Sequence, residues 1–190
     1  MKILSILIFA CLLFTACNND SSKTTTDQTN TDSSAMTQAA GENQSTGNNM
    51  QTATADAGSA DFLMKAADGG MAEVAAGQVA QSKAANESVK MFAGMMVNDH
   101  TGANQQVKDL AAKLQVTLPA EPSEEHKKNI EAAGKKEGKA FDKAYMSMMV
   151  NDHKKTIALF NDGAAKATNA EVKDFINTTL PKLQMHLDSA

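Results

Sequence analysis

Arginine is missing from the chain: all 18 cationic residues are lysine, set against 22 acids for a formal charge of -4. Arginine is the side chain that grips phosphate with two parallel bonds. Its absence on an acidic chain argues against nucleic acid as a partner and against phosphate clamps. Tryptophan is absent as well, Tyr145 is the one tyrosine, and β-branched runs are lacking. Those gaps disfavour sheet and leave helix as the natural backbone state. The two cysteines, Cys11 and Cys17, do not form a Cys-x-x-Cys pair. A glycine-rich phosphate loop and a glycine-flanked serine nucleophile are also missing, which removes the usual nucleotide and acyl-transfer chemistries. Long apolar runs are scarce. The one substantial run, Ile3 to Phe14, would make a helix of about 18 Å, against the roughly 30 Å of a bilayer core. That length fits the apolar region of a signal peptide.

Lys2 supplies the charge ahead of that run, and Phe14-Thr15-Ala16-Cys17 follows it. This tetrapeptide resembles the lipobox cut by the lipoprotein signal peptidase, with Phe14 where leucine is usual. The resemblance implies removal of residues 1–16 and lipidation of Cys17, which becomes the membrane attachment. Cys11 leaves with the signal peptide and the thiol of Cys17 is consumed by lipid, so no internal disulfide is expected. Asn18 follows the lipidated position. By resemblance to the sorting rule of enteric bacteria, this implies outer-membrane delivery, facing the periplasm or the cell surface. The stretch from Cys17 to Ser59 is dominated by Ser, Thr, Asn, Gln, Asp, Gly and Ala. It cannot bury enough apolar surface to offset its ordering entropy, so it reads as a disordered linker with a span of roughly 35 Å.

Residues 60–190 are enough for one domain with a core. Apolar residues recur there at the three-and-four spacing of helices. Helix one is expected from Ser59 or Asp61 to Lys83, with Phe62, Ala66, Gly69, Glu73, Ala76 and Ala80 inward. Asn86 should cap a second helix reaching Gln115, Ser123 a short one after Pro119 and Pro122, and Asn169 the last. Between them a long helix runs from Lys139 to Lys166, and Pro181 is expected to kink the final helix. The block Met95-Met96-Val97-Asn98-Asp99-His100 recurs as Met148-Met149-Val150-Asn151-Asp152-His153. Duplication of a hairpin or convergence on a shared inward environment would each produce it.

One polar residue interrupts each inward face: Glu73, His100, His153 and His186. Counting outward from the turns places Glu73 within about one helical turn of His100, and His153 within about one turn of His186. A carboxylate and three imidazoles at mid-bundle depth could hold one transition metal ion, zinc, iron or copper. Asp142, on the same face as His153, is a further candidate ligand, and Asp99 and Asp152 are candidates to orient the histidines. The same residues could instead satisfy one another without metal. The methionines Met96, Met146, Met149 and Met185 are read as core filling, and His126 as a solvated side chain.

Several blocks then acquire a joint meaning. Asp61-Phe62, Gly70 to Glu73, the two Met-Val-x-Asp-His blocks, Phe141-Asp142-x-x-Tyr145 and Leu180-Pro181-x-Leu183-x-x-His186 resemble a large family of bacterial envelope proteins described as a domain of unknown function. The resemblance implies an all-α fold, a ferritin-like four-helix bundle, and no established activity. The di-iron proteins of that architecture carry Glu-x-x-His on two helices, whereas Val97 and Val150 stand three residues before His100 and His153. The expectation is a lipid-anchored envelope protein with a mononuclear metal site or none. A metalloenzyme acting on peroxide or another small oxidant, or a purely structural interaction module, are the alternatives.

Overall fold

The structure, a computed structural model, describes residues 54–190; the expected signal peptide, Cys17 and nearly all of the linker lie outside the described residues. Five helices make up this part: α1 (Ala57–Lys83), α2 (Glu87–Lys113), α3 (Glu124–Gly134), α4 (Gly138–Lys166) and α5 (Ala170–Ser189). Asn86, Ser123 and Asn169 each accept a backbone N–H from the first turn of the helix they precede, as expected. The cap of α1 is Asp56, slightly upstream of both expected residues. Its carboxylate accepts from the Ser59 amide at 2.9 Å and from the Ser59 hydroxyl at 2.6 Å. Ser59 is therefore the partner of the cap. Pro181 lies inside α5, which continues without a break.

Three contacts fix the helix directions. Ala55 N donates to the Leu114 carbonyl, so the start of α1 lies beside the end of α2. Thr168 N donates to Asp56, which brings the turn between α4 and α5 to that same end. The amides of Ala85 and Asn86, in the turn from α1 to α2, donate to Asp142 near the start of α4. Hence α1 and α5 run one way and α2 and α4 the other, and residues 114–137 carry the chain back along the whole bundle. Helix α1 packs on α2 and α4, α5 packs on α4 and α2, and α3 lies against α1 and α4. The two long diagonals are therefore α1 with α5 and α2 with α4.

This arrangement bears on the repeated block. The copies occupy α2 and α4, parallel helices across one diagonal. A duplicated hairpin would place them on α2 and α5. The shared inward environment is the account that fits: Met96 and Met149 are both fully buried, and both histidines point inward.

Apolar burial forms two clusters. One, near the Asp56 end, is built on Phe62, Leu63, Val107, Leu110, Phe160, Phe175 and Ile176. The other, near the Asp142 end, is built on Ala76, Ala80, Phe92, Met96, Phe141, Tyr145 and Met149. Phe62 meets Phe160 edge-on at 4.9 Å, a favoured aromatic geometry. A Cβ on Gly163 would lie 2.5 Å from the Phe62 ring, so glycine at that position lets α1 and α4 approach. The polar residues form a layer between the two clusters.

Candidate metal centre

Each of four helices delivers one side chain to this layer. Glu73 comes from α1, His100 from α2, His153 from α4 and His186 from α5, with exposures of 2, 5, 0 and 1 %. The ring centroids of the three histidines are 5.3 to 5.6 Å apart. One ligand-capable nitrogen from each lies within 4.8 Å of those of the other two. A tetrahedral ion with bonds of about 2.0–2.1 Å requires nitrogens about 3.3 Å apart.

The outer contacts of the rings decide which nitrogen is free. His153 Nδ1 lies 2.9 Å from the Met149 carbonyl. A carbonyl only accepts, so Nδ1 carries the proton and Nε2 keeps its lone pair. His186 Nε2 lies 2.9 Å from Asp99 Oδ2, and that carboxylate also meets Lys182 at 3.5 Å. Burial pushes the Asp99 carboxyl up, but the bond from His186 and the charge of Lys182 outweigh it and hold the group below its usual range. Burial and the neighbouring His100 and His153 hold the His186 imidazole down, against the pull of Asp99. The pair is thus a neutral imidazole donating Nε2–H to a carboxylate, with Nδ1 free. His100 Nδ1 lies 2.9 Å from Glu73 Oε2, a close charge contact that is poorly aligned as a hydrogen bond. His100 Nε2, His153 Nε2 and His186 Nδ1 are buried and have no hydrogen-bond partner. A metal-bound histidine shows this same pattern, with the outer nitrogen held by an acceptor and the inner lone pair available.

The layer does not include every expected ligand. Glu73 faces the outer nitrogens: Oε2 is at 2.9 Å from His100 Nδ1 and Oε1 at 3.5 Å from His153 Nδ1. It stands beside the imidazoles of His100 and His153 in close contact, with no hydrogen bond to either. Burial pushes its carboxyl up, and the neighbouring imidazoles, His100 foremost, bring it below the usual carboxylate value. Asp142 is outside the centre, because both its oxygens accept backbone amides, from Ala85 at 2.9 Å and Asn86 at 3.0 Å. Its helical face was foreseen, but it stands about three turns from His153 along α4. Asp99 orients a histidine as expected, though the ring is that of His186 on α5. Asp152 holds no histidine; it lines a cleft on the α3 side. There burial and then the charge of Glu73 raise its carboxyl. Met185 is exposed, while Met96 and Met149 fill the core beside the layer.

A family model described as Domain of unknown function (DUF4142) matches residues 43–190. The chain belongs to this family. No curated protein and no solved structure matches it. In this DUF4142 protein the structure also shows features that periodicity does not single out. Tyr145 is buried with its hydroxyl unpartnered, stacked on Phe141 and edge-on to Phe92. Burial and the nearby charge of Glu73 push its phenol up, so it stays neutral. His126 sits on α3 with Nδ1 3.2 Å from Asp68, only partly exposed, where a solvated side chain was expected.

Two cavities reach the layer. A cleft of about 480 Å³ between α1, α3 and α4 has the carboxylates Asp68, Glu73, Glu125 and Asp152 in its lining, along with Lys65, Lys155 and His126. An inner cavity of about 30 Å³ is lined by Glu73, His100, Asn104, Thr179 and apolar residues of four helices. Lys65, Gly69, Glu73, Thr156 and Leu159 line both.

Proposed function

We propose that this DUF4142 protein is a lipid-anchored envelope protein whose helical bundle binds one transition metal ion through His100, His153 and His186. The observation that carries the reading is the set of three buried ring nitrogens without partners, each on an imidazole whose other nitrogen faces an acceptor. An unpartnered buried polar group costs about 1–3 kcal/mol. Three of them in one layer make an expensive way to fill a core, and packed apolar residues would be more stable. A bound ion turns the same three lone pairs into bonds.

Three imidazole nitrogens suit zinc(II) or copper(II) and leave a coordination position for a small ligand. Glu73 and Asp99 act on the imidazoles from outside, orienting them and raising their basicity. A single long connection between two hairpins also occurs in ferritin-like bundles, which build metal sites in the bundle core. Anchoring rests on Phe14-Thr15-Ala16-Cys17. No helix among the described residues is long and apolar enough to cross a membrane.

Elemental analysis of tag-free protein, purified without nickel resin and reloaded with zinc or copper, tests the metal. One ion per chain is expected, falling to a small fraction in a His100→Ala, His153→Ala, His186→Ala variant. Wild-type protein that retains no ion after reloading refutes the site. For the anchor, Cys17→Ser should lose palmitate labelling and leave the membrane fraction, and continued lipid labelling would refute that assignment.

A further inference from the structure

The centre is buried, so an ion must have a way in. Resting on the metal reading above, we propose that the cleft between α1, α3 and α4 is the port by which a cation reaches the histidines. Glu73 is the carboxylate that receives the ion there, and Gly69 and Thr156 form the neck.

Four observations converge on this assignment. The outer cleft and the inner cavity share Gly69, Glu73 and Thr156, and His100 lines the inner one. They therefore abut, and together they lead from the surface to His100. Glu73 is 2 % exposed, both its oxygens lack hydrogen-bond partners, and it lines both spaces. The neck is open because Gly69 has no side chain; a Cβ there would meet nothing nearer than Thr156 Oγ1 at 4.0 Å.

The fourth observation comes from the repeated block. Exchanging α2 with α4 and α1 with α5 carries the Asp99–His186 pair onto Asp152 and Glu73. The first combination is a carboxylate bonded to an imidazole. The second is two carboxylates, and Asp152 forms no ion pair among the described residues. With Asp68 and Glu125 these acids outnumber Lys65 and Lys155 in the cleft lining, which favours a cation. His100 lies beyond Glu73 in the inner cavity. The inner cavity also limits what can follow the ion. At about 30 Å³ it has room for a water-sized molecule, so water, hydroxide, peroxide or a diatomic gas is the size class of ligand that could join the metal from this side.

The test is the rate of cobalt(II) loading into the full chain in detergent, followed by visible absorption, with final stoichiometry measured separately. Gly69→Leu should slow loading by about tenfold or more while the final stoichiometry stays at one. The same change at the exposed Gly102, where a Cβ meets nothing within 4 Å, should leave the rate alone. Glu125→Lys, at the exposed mouth, should slow loading several-fold at low ionic strength, and salt should erase the difference. A Gly69→Leu protein that loads as fast as the wild type overturns the port. If that variant does not fold, Glu125→Lys decides, and an unchanged rate at low salt is the overturning result. Wild-type protein that takes up no cobalt at equilibrium overturns the metal reading and the port with it. Full loading at unchanged rates overturns the port alone.

Discussion

Removing His153 separates a metal centre from a self-satisfied polar layer. An ion that binds only the folded state, at a hundredfold excess over its dissociation constant, stabilises it by about 2.7 kcal/mol. The 137 residues from 54 to 190 unfold with an entropy of about 0.29 kcal/mol/K near the midpoint. The wild-type melting temperature should therefore rise by about 9 °C on adding zinc or copper after chelation. If the loss of one imidazole weakens binding a hundredfold, the same metal concentration sits at the dissociation constant. About 0.4 kcal/mol then remains, or about 1–2 °C. In chelator, His153→Ala should still be less stable by about 1–3 kcal/mol, from lost packing and the lost bond to the Met149 carbonyl. His126→Ala, off the layer, should keep the full metal-dependent rise. The assay is a thermal melt of the three proteins in chelator and then in each metal. A wild-type midpoint that neither zinc nor copper moves would refute the reasoning. An equal rise in His153→Ala would put the binding elsewhere.

Asp142→Ala should cost about 3 kcal/mol in denaturant melts, because two backbone amides in the turn from α1 to α2 lose a charged acceptor; its metal-dependent rise should match the wild type. Asp99→Ala should weaken metal binding about ten- to hundredfold in competition titrations, through His186, while Asp152→Ala should affect equilibrium affinity less. Burial raises the Asp56 carboxyl, but its bonds from Ser59 and Thr168 overcome this and hold the folded-state value far below the ordinary 3.8. The stability it contributes is thus fully present above about pH 4 and is lost as pH falls toward the folded value. Asp56→Ala should cost about 1 kcal/mol at neutral pH and flatten the acid limb of the stability curve.

The four members of the polar layer were legible because periodicity reports the face of a helix and counting from a turn reports its depth. Glu73 and His100 share one hairpin, and His153 and His186 the other, so each pair needed only one count. Asp142 shows where that reasoning fails. It does lie on the inward face, but it meets the opposite hairpin, and periodicity within one helix says nothing of what stands across from it. The same gap hid the partner of Asp99. Its neighbour in sequence is His100, yet successive residues on a helix point about 100° apart, and the ring it reaches is on α5. Asn86, Ser123 and Asn169 were legible as caps because each precedes a clear apolar rhythm. The polar stretch around Asp56 offers several candidates of similar chemistry. The cleft was out of reach, since it depends on where the returning segment rests.

That returning segment has a dynamic consequence. Helix α3 buries one residue, Ala133. It is tied to α1 through Ser123 N and His126 on Asp68, at 2.6 and 3.2 Å, and to α4 through the loose Lys155–Glu125 pair at 3.7 Å. So little apolar area gives it a small opening free energy of its own, far below that of the four long helices. Its amides should be the first after the frayed ends to exchange with deuterium, while those around His100 and His153 wait for global unfolding. A bundle built this way can loosen one wall without disturbing the rings behind it.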